Sequence, residues 1–265
     1  MRQLKRYAGL YWLFLLQRFK ILMEYRVNFL IGASSTVFVQ AAGLITIWVV
    51  MGQIPSLNGW SLDEVFLVYG LLTLAKSINH MFADNLWTIG RQYIRTGGFD
   101  RFLVRPINPL FHLLADRFCH DGIGNFLVGA LLVWRGFTNL GIPWSPANIG
   151  YLALAVLAGG GIFIGLNLIT CVASFWIMDS IPVTLAVFQT NEFAKFPLEI
   201  YRKSIGVVMT WLVPYGLTSF YPASYLLGRN IGYMAWAMVP VSAVLLGVGY
   251  ELWKVGLKHY GSTGS

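Results

Sequence analysis

Long apolar runs separated by short polar stretches dominate the chain, and their lengths predict membrane-crossing helices. The first carries no charge from about Val27 to Met51, enough to cross about 30 Å of hydrocarbon at about 1.5 Å per residue. Pro55, Asn58 and Gly59 mark a turn. A second span follows from about Val65 to Ala83, with Asp63 near its start after Ser61, where the helix dipole favours an anion. The third run is uneven. Pro109 permits a helix start and apolar character lasts to Trp134, yet Asp116, Arg117, His120 and Asp121 occupy its first half. This reads as one long helix with a polar, protein-facing or cytoplasmic half. Asp116–His120 and Arg117–Asp121 have the i,i+4 spacing that lets side chains pair on neighbouring turns. After a turn at Pro143, Pro146 and Asn148, a fourth span covers about Gly150 to Ile177. Its Gly159, Gly160 and Gly161 suit close helix approach in lipid.

Residues 180–200 open on Pro182 with an apolar stretch to Phe188, too short to span. Gln189, Thr190, Asn191, Glu192 and Lys195 follow, so an interfacial or cytoplasmic helix is predicted. A fifth span covers about Ile205 to Tyr221 and contains Pro214. Residues 222–230 are apolar but short and are expected to dip back into the outer interface; a sixth span covers about Ile231 to Tyr250. The expected fold class is therefore all-α: a polytopic membrane protein of six transmembrane helices in one domain, residues 1–260. Residues 1–26 form an interfacial helix rich in Tyr, Trp, Phe and Leu, on which Gln17, Lys20 and Glu24 make one polar stripe. A plain anchor and a helix that also touches a cytoplasmic partner both fit it. Gln17, Arg18 and Lys20 follow the early apolar stretch where a cleavage site would be needed, which argues against a signal peptide. Residues 261–265, Gly-Ser-Thr-Gly-Ser, have linker composition and are set aside.

Composition supports the membrane reading. Of 265 residues 57% are hydrophobic and 11% charged, against about 25% charged in soluble domains. The net charge of +8 does not indicate a nucleic-acid partner, because the basic residues lie between apolar runs. With both termini, the second-to-third loop and the fourth-to-fifth loop on one side, all 19 Lys and Arg except Lys76, Arg135 and Arg229 gather there. The positive-inside rule makes that side cytoplasmic, and an inner-membrane, bacterial setting is expected. Cys119 and Cys171 lie in no ligand-like spacing and read as buried apolar side chains.

The most informative stretch is residues 91–109. The second span is predicted to continue as a helix to about Thr96, where Gly97 and Gly98 end it. A short helix from Phe99 to Val104 follows, terminated by Pro106. Phe99, Phe102 and Leu103 share one face, flanked by Arg101 and Arg105. Exposed aromatics are costly without a partner. The segment therefore reads as a docking peg for another subunit, with Phe99, Asp100, Phe102 and Leu103 as its main contacts; a loop packed on the protein's own membrane face is the plainer alternative. Lys76, Asn79 and His80 share a face of span two and are candidates to line a pathway, unless they merely snorkel. Asn167, Thr170 and Thr210 suit interhelical hydrogen bonds.

Enzyme signatures are missing from the sequence: His80, His112, His120 and His259 form no HxxxH or HExxH, and there is no GxSxG elbow, so no catalytic or metal site is expected. An ion-coupled secondary transporter would want mid-span acids, which spans one, four and six lack. It remains the alternative, with a membrane enzyme acting on lipids behind it.

With six spans and the segment Gly97-Gly-Phe-Asp-Arg-Phe-Leu-Val-Arg-Pro-Ile-Asn-Pro109, the chain resembles the ATP-binding-cassette type-2 exporter permeases over nearly its whole length. Tyr221-Pro-Ala-Ser-Tyr-Leu-Leu-Gly228 is similar to that family's segment between spans five and six. The resemblance implies a coupling region at residues 84–108, inserted into a groove of a separate ATPase subunit. It also implies an N-terminal helix bracing that contact, and re-entrant outer helices before the last span. Neither a GxxxxGK[ST] loop nor an LSGGQ-like run occurs, so ATP and Mg are expected on the partner and no cofactor in this chain. Two permeases, this chain twice or with a similar one, would enclose the path among membrane lipids. The aromatic content suits an amphipathic or lipid-like cargo. The cargo is expected to pass along a dimer seam lined by spans two and five, at Leu72 and Leu212.

Overall fold

The computed structural model describes residues 7, 9–14, 16–17, 20, 26–177 and 179–261. Among them the protein is helical throughout and has no strand, only an isolated bridge between Leu57 and Trp60. Among the described residues four helices are long and apolar enough to cross a membrane: Leu30–Gln53, Leu62–Phe82, Pro146–Ile177 and Met238–His259.

Helix α1 (Arg26–Gln53) leads to α2 (Leu62–Phe82), which starts on a capping box: Ser61 Oγ accepts from the Glu64 N–H, and the Glu64 carboxylate accepts from the Ser61 N–H at 2.7 Å. Short helix α3 (Asn85–Thr88) follows a break at Ala83 and Asp84, and continues as a π-helical turn over Ile89–Ile94. Helix α4 is Asp100–Leu103. Asn108 caps α5 (Pro109–Ala115), whose first residue is a proline that has no N–H to leave unpaired. Helix α6 is Gly122–Asn139. Ser145 and Pro146 start α7 (Pro146–Cys171) in the same way, and α8 is Ser174–Ile177. Helix α9 (Ile181–Gln189) runs into 3₁₀ turns at Thr190–Lys195 and Leu198–Ile200. Helix α10 (Lys203–Val207), a π turn (Val208–Leu212), a 3₁₀ turn (Tyr215–Thr218) and α11 (Phe220–Leu226) follow. Helix α12 (Met238–His259) closes the chain.

Glycines set the close packing. α6 lies antiparallel along α2, and a Cβ on Gly129 would stand 2.9 Å from the Leu74 backbone nitrogen and 3.0 Å from the Gly70 oxygen. α7 is sandwiched: a Cβ on Gly160 would meet the Ile78 side chain of α2 at 2.8 Å, and one on Gly165 the Leu245 Cβ of α12 at 2.7 Å. This is the small-residue packing expected of the fourth span. α1 joins the bundle through α6, where Thr36 donates to the Asp121 carbonyl at 2.9 Å.

Several expectations change. The third span is not one helix from Pro109; it breaks between α5 and α6. The break lets the Cys119 N–H donate to the Met81 carbonyl at 3.0 Å. It also lets Arg101 reach Asp116 at 2.7 Å and Arg117 reach Asp84 at 3.8 Å, so residues 116–121 leave the register on which the i,i+4 pairing rested. The helical continuation of span two to Thr96 is interrupted at Ala83. Ile205–Tyr221 is not one helix either. Pro214, which lacks an N–H, separates α10 and its π turn from the 3₁₀ turn at Tyr215.

Residues 179–199 do not lie at one end of the bundle. Asp179 pairs with Arg91 at 3.1 Å. Phe188 packs on Trp87 at 4.8 Å between centroids and lies under Lys76 at 5.3 Å. Lys195 stands 5.5 Å over the Tyr69 ring, and Glu199 accepts from Trp60 Nε1 at 2.7 Å. The segment thus follows α2 from end to end, antiparallel to it. Lys195 pairs with Glu192, and the buried Asn191 donates to the Phe188 carbonyl. From the Trp60 end the chain dips to Tyr215, stacked on Phe163 at 4.5 Å. It then returns with Phe220 on Trp60 at 5.7 Å and the Arg229 guanidinium 3.7 Å above the same indole. Lys195, Arg202 and Lys203 therefore do not join Arg91 at the opposite end.

Candidate functional site

Two regions bear on function. The first is the segment between α2 and α6. Phe99 and Phe102 are fully buried, at 0% exposure, so the expected aromatic peg is turned inward. Phe99 packs on Phe175 after α7, on Trp253 of α12 and on Tyr260, at 5.6, 6.0 and 5.0 Å. Phe102 packs on Tyr93 and His112 at 5.2 and 4.7 Å. The physical reason is that α3, α5, α8 and α12 end together here and form an apolar pocket of their own, and burying two phenyl rings in it outweighs exposing them. Tyr260 donates to Asp100 at 2.9 Å. Arg101 bonds Asp116 and lies 5.2 Å over Tyr93, and Arg105 lies 3.1 Å from His112 Nε2. What projects is Leu103 and, at 81% exposure, Val104, with Arg101 and Arg105 beside them.

The N-terminal helical residues lie on α5: Tyr7 and Tyr11 meet Phe111 at 4.8 and 6.2 Å, and the Asn108 N–H donates to the Tyr7 hydroxyl at 3.3 Å. Gln17 and Lys20 are exposed; Glu24 lies outside the described residues.

The second region is a cavity of about 330 Å³ between α1, α2, α6 and α9, and it brings Lys76, Asn79 and His80 together. It also holds residues the sequence reading did not single out: Gln40, Asp84, Trp87, Asn125 and Phe188. Gln40 is the one amide in the middle of the apolar first span, and that isolation was the available signal. Tyr69 donates to Gln40 Oε1 at 2.5 Å, and Gln40 Nε2 donates to Asn125 Oδ1 at 2.6 Å. Asn125 Nδ2 in turn meets His80 Nδ1 at 2.9 Å. With Nδ1 accepting, the neutral imidazole carries its proton on Nε2, which faces Asp84 at 3.9 Å. Asn79 accepts from Asn167 at 3.2 Å, the interhelical role expected of Asn167. Leu72, placed at a seam by the sequence reading, is 1% exposed and belongs to the core, whereas Leu212 is 72% exposed. Span two therefore presents Lys76 and His80 to the cavity but no face to a second chain at Leu72.

His80, Asp84 and Cys119 bring one nitrogen, one oxygen and one sulfur within 4.8 Å of one another, a donor set for a borderline cation. Arg117 lies 3.8 Å from Asp84 and competes for its carboxylate, and burial pushes the Cys119 thiol up to about 12.

The profile of the ABC-2 family transporter proteins matches residues 37–264. No curated protein and no solved structure matches the chain.

Proposed function

The chain belongs to the ABC-2 transporter family, and from that premise we propose that it is the membrane subunit of an ATP-driven exporter whose ATPase is a separate chain. The single observation that carries the coupling role is Val104. It is an aliphatic side chain at 81% exposure on a short helix whose other face is anchored to the ends of α7 and α12. A rigid mount with an apolar tip flanked by Arg101 and Arg105 is suited to an apolar, acidic-rimmed groove. A partner that moves the tip moves Phe99, and with it α7 and α12. The coupling contact is thus Leu103, Val104 and the two arginines, not the buried rings.

Six crossings also fit the geometry: α1, α2, α6, α7 with α8, residues 181–200, and α12. Residues 203–227 form a re-entrant hairpin with its tip at Tyr215, longer than the 222–230 expected. Both termini then share the side of Arg91, Arg95, Arg101 and Arg105, while Arg135, Arg202, Lys203 and Arg229 lie opposite; the positive-inside rule makes the first side cytoplasmic. The cavity is walled by α1 and α9 on one side, where its lining residue Val39 is exposed. A second copy, or a similar chain, facing this side would complete its wall and give an amphipathic cargo a path along the seam.

The test is a photo-crosslinking amino acid at Val104, compared with one at exposed Trp134 on α6. The expected result is an ATP-binding-cassette ATPase captured from native membranes at Val104 alone. Equal capture at both positions, or capture at neither, overturns the coupling role.

A further inference from the structure

The charges around the cavity are paired, with one exception. Asp84 has Arg117 at 3.8 Å, Asp121 has His120 at 3.1 Å, and Glu192 pairs with Lys195. Among the described residues, no carboxylate lies within ion-pair distance of the Lys76 ammonium. Lys76 does not snorkel along lipid either. It lines the cavity and stands 5.3 Å over the Phe188 ring, six residues short of the inner end of α2 at Phe82. The carboxylate whose charge reaches it, Glu192, is already paired with Lys195; a cation so placed in a low-dielectric cavity is costly, and a ring face offsets only part of that cost. Around it, Asn79, His80 and Gln40 offer hydrogen bonds, while Val39, Trp87 and Phe188 supply apolar wall.

We propose that this cavity binds the anionic head of an amphiphile, a phosphate or carboxylate, with Lys76 as its counter-ion. The apolar chain would leave past Val39 of α1, a lining residue that is itself exposed. Calling the ligand cargo rests on the exporter reading; binding itself does not, because it needs neither ATP nor the ATPase. A loss of binding with intact capture of an ATPase at Val104 would fault this inference alone, and the reverse would fault the exporter reading alone.

The test uses the full chain in dodecyl maltoside and the fluorescence of Trp87, isolated as the difference between wild type and Trp87→Phe. Dodecyl phosphate, dodecanoate, dodecanol and dodecyltrimethylammonium share one chain length and differ in head charge. The expected result is that the two anions shift Trp87 emission at concentrations at least about tenfold below the neutral and cationic heads. Lys76→Arg should keep that preference and Lys76→Met should reduce it to within about twofold. Because Lys76→Met removes a buried charge and so perturbs the fold as well as the site, excess inorganic phosphate is added to wild type as an independent arm. It should fail to displace dodecyl phosphate, since it lacks the apolar chain. Equal binding of dodecanol, an unchanged preference in folded Lys76→Met, or full displacement by inorganic phosphate overturns the proposal.

Discussion

Val104 and Phe102 lie two residues apart and face opposite ways, which lets one experiment separate folding from coupling. Phe102 is fully buried against Tyr93 and His112. Phe102→Ala removes a phenyl ring from a packed cluster, a loss of about 3–5 kcal/mol in comparable cores. Val104 is exposed, and exposed substitutions usually change stability by about 0.5 kcal/mol or less. If Val104 seats in a groove on the ATPase, Val104→Asp loses about 1.5–3 kcal/mol of side-chain burial and adds the cost of an unpaired buried carboxylate. Together these exceed about 3 kcal/mol, a hundredfold or more in Kd at about 1.4 kcal/mol per tenfold. The assay is thermal unfolding of the purified chain beside its affinity for the captured ATPase. Phe102→Ala should unfold at a markedly lower temperature. Val104→Asp should unfold like wild type yet bind at least about a hundredfold more weakly. Undiminished binding by Val104→Asp, or wild-type stability of Phe102→Ala, refutes the orientation of α4 argued above.

Three further outcomes follow from the packing and charges. Gly129→Val places new atoms against the backbone of Leu74 and Gly70, which cannot yield as a side chain tip could; a loss of about 1–3 kcal/mol is expected in unfolding experiments. Cysteine at Val39 should crosslink between protomers in native membranes, whereas cysteine at Leu157, exposed on α7, should not; the opposite pattern would move the seam. The Asp179 carboxyl is held below its ordinary value by the Ile181 N–H, and further by Arg91. A depressed value means that its stabilisation is present above the unfolded value of about 3.9 and is lost as pH falls through the folded one. Asp179→Asn should therefore lower stability at neutral pH and narrow the gap to wild type in acid, read from unfolding temperatures across pH.

Much of the bundle was legible in the sequence because its signals are local. Ser61 with Asp63, Pro109, and the turn at Pro143 and Pro146 lie where α2, α5 and α7 begin, and the glycines of the fourth span sit where α2 and α12 press closest. What was not legible depends on partners remote in sequence. How residues 180–200 lie along α2 is set by contacts with residues remote in sequence, Lys195 over Tyr69 and Glu199 on Trp60. Phe99 and Phe102 follow a helical stripe, but a stripe does not say whether it faces solvent or Trp253, more than a hundred residues on. The cavity shows the same limit. Lys76, Asn79 and His80 stood out as a polar face of one helix, whereas Gln40 and Asn125 became part of it only when α1 and α6 were brought together.

The central claim is that this chain moves an amphiphile only when a separate ATPase drives it. The most direct measurement is uptake of a fluorescent dodecyl phosphate analogue into proteoliposomes holding the chain alone, or the chain with its captured ATPase. The account predicts accumulation only with both subunits and ATP, and none from the chain alone under an imposed proton or sodium gradient. Gradient-driven accumulation by the chain alone would contradict it and make the protein an ion-coupled transporter.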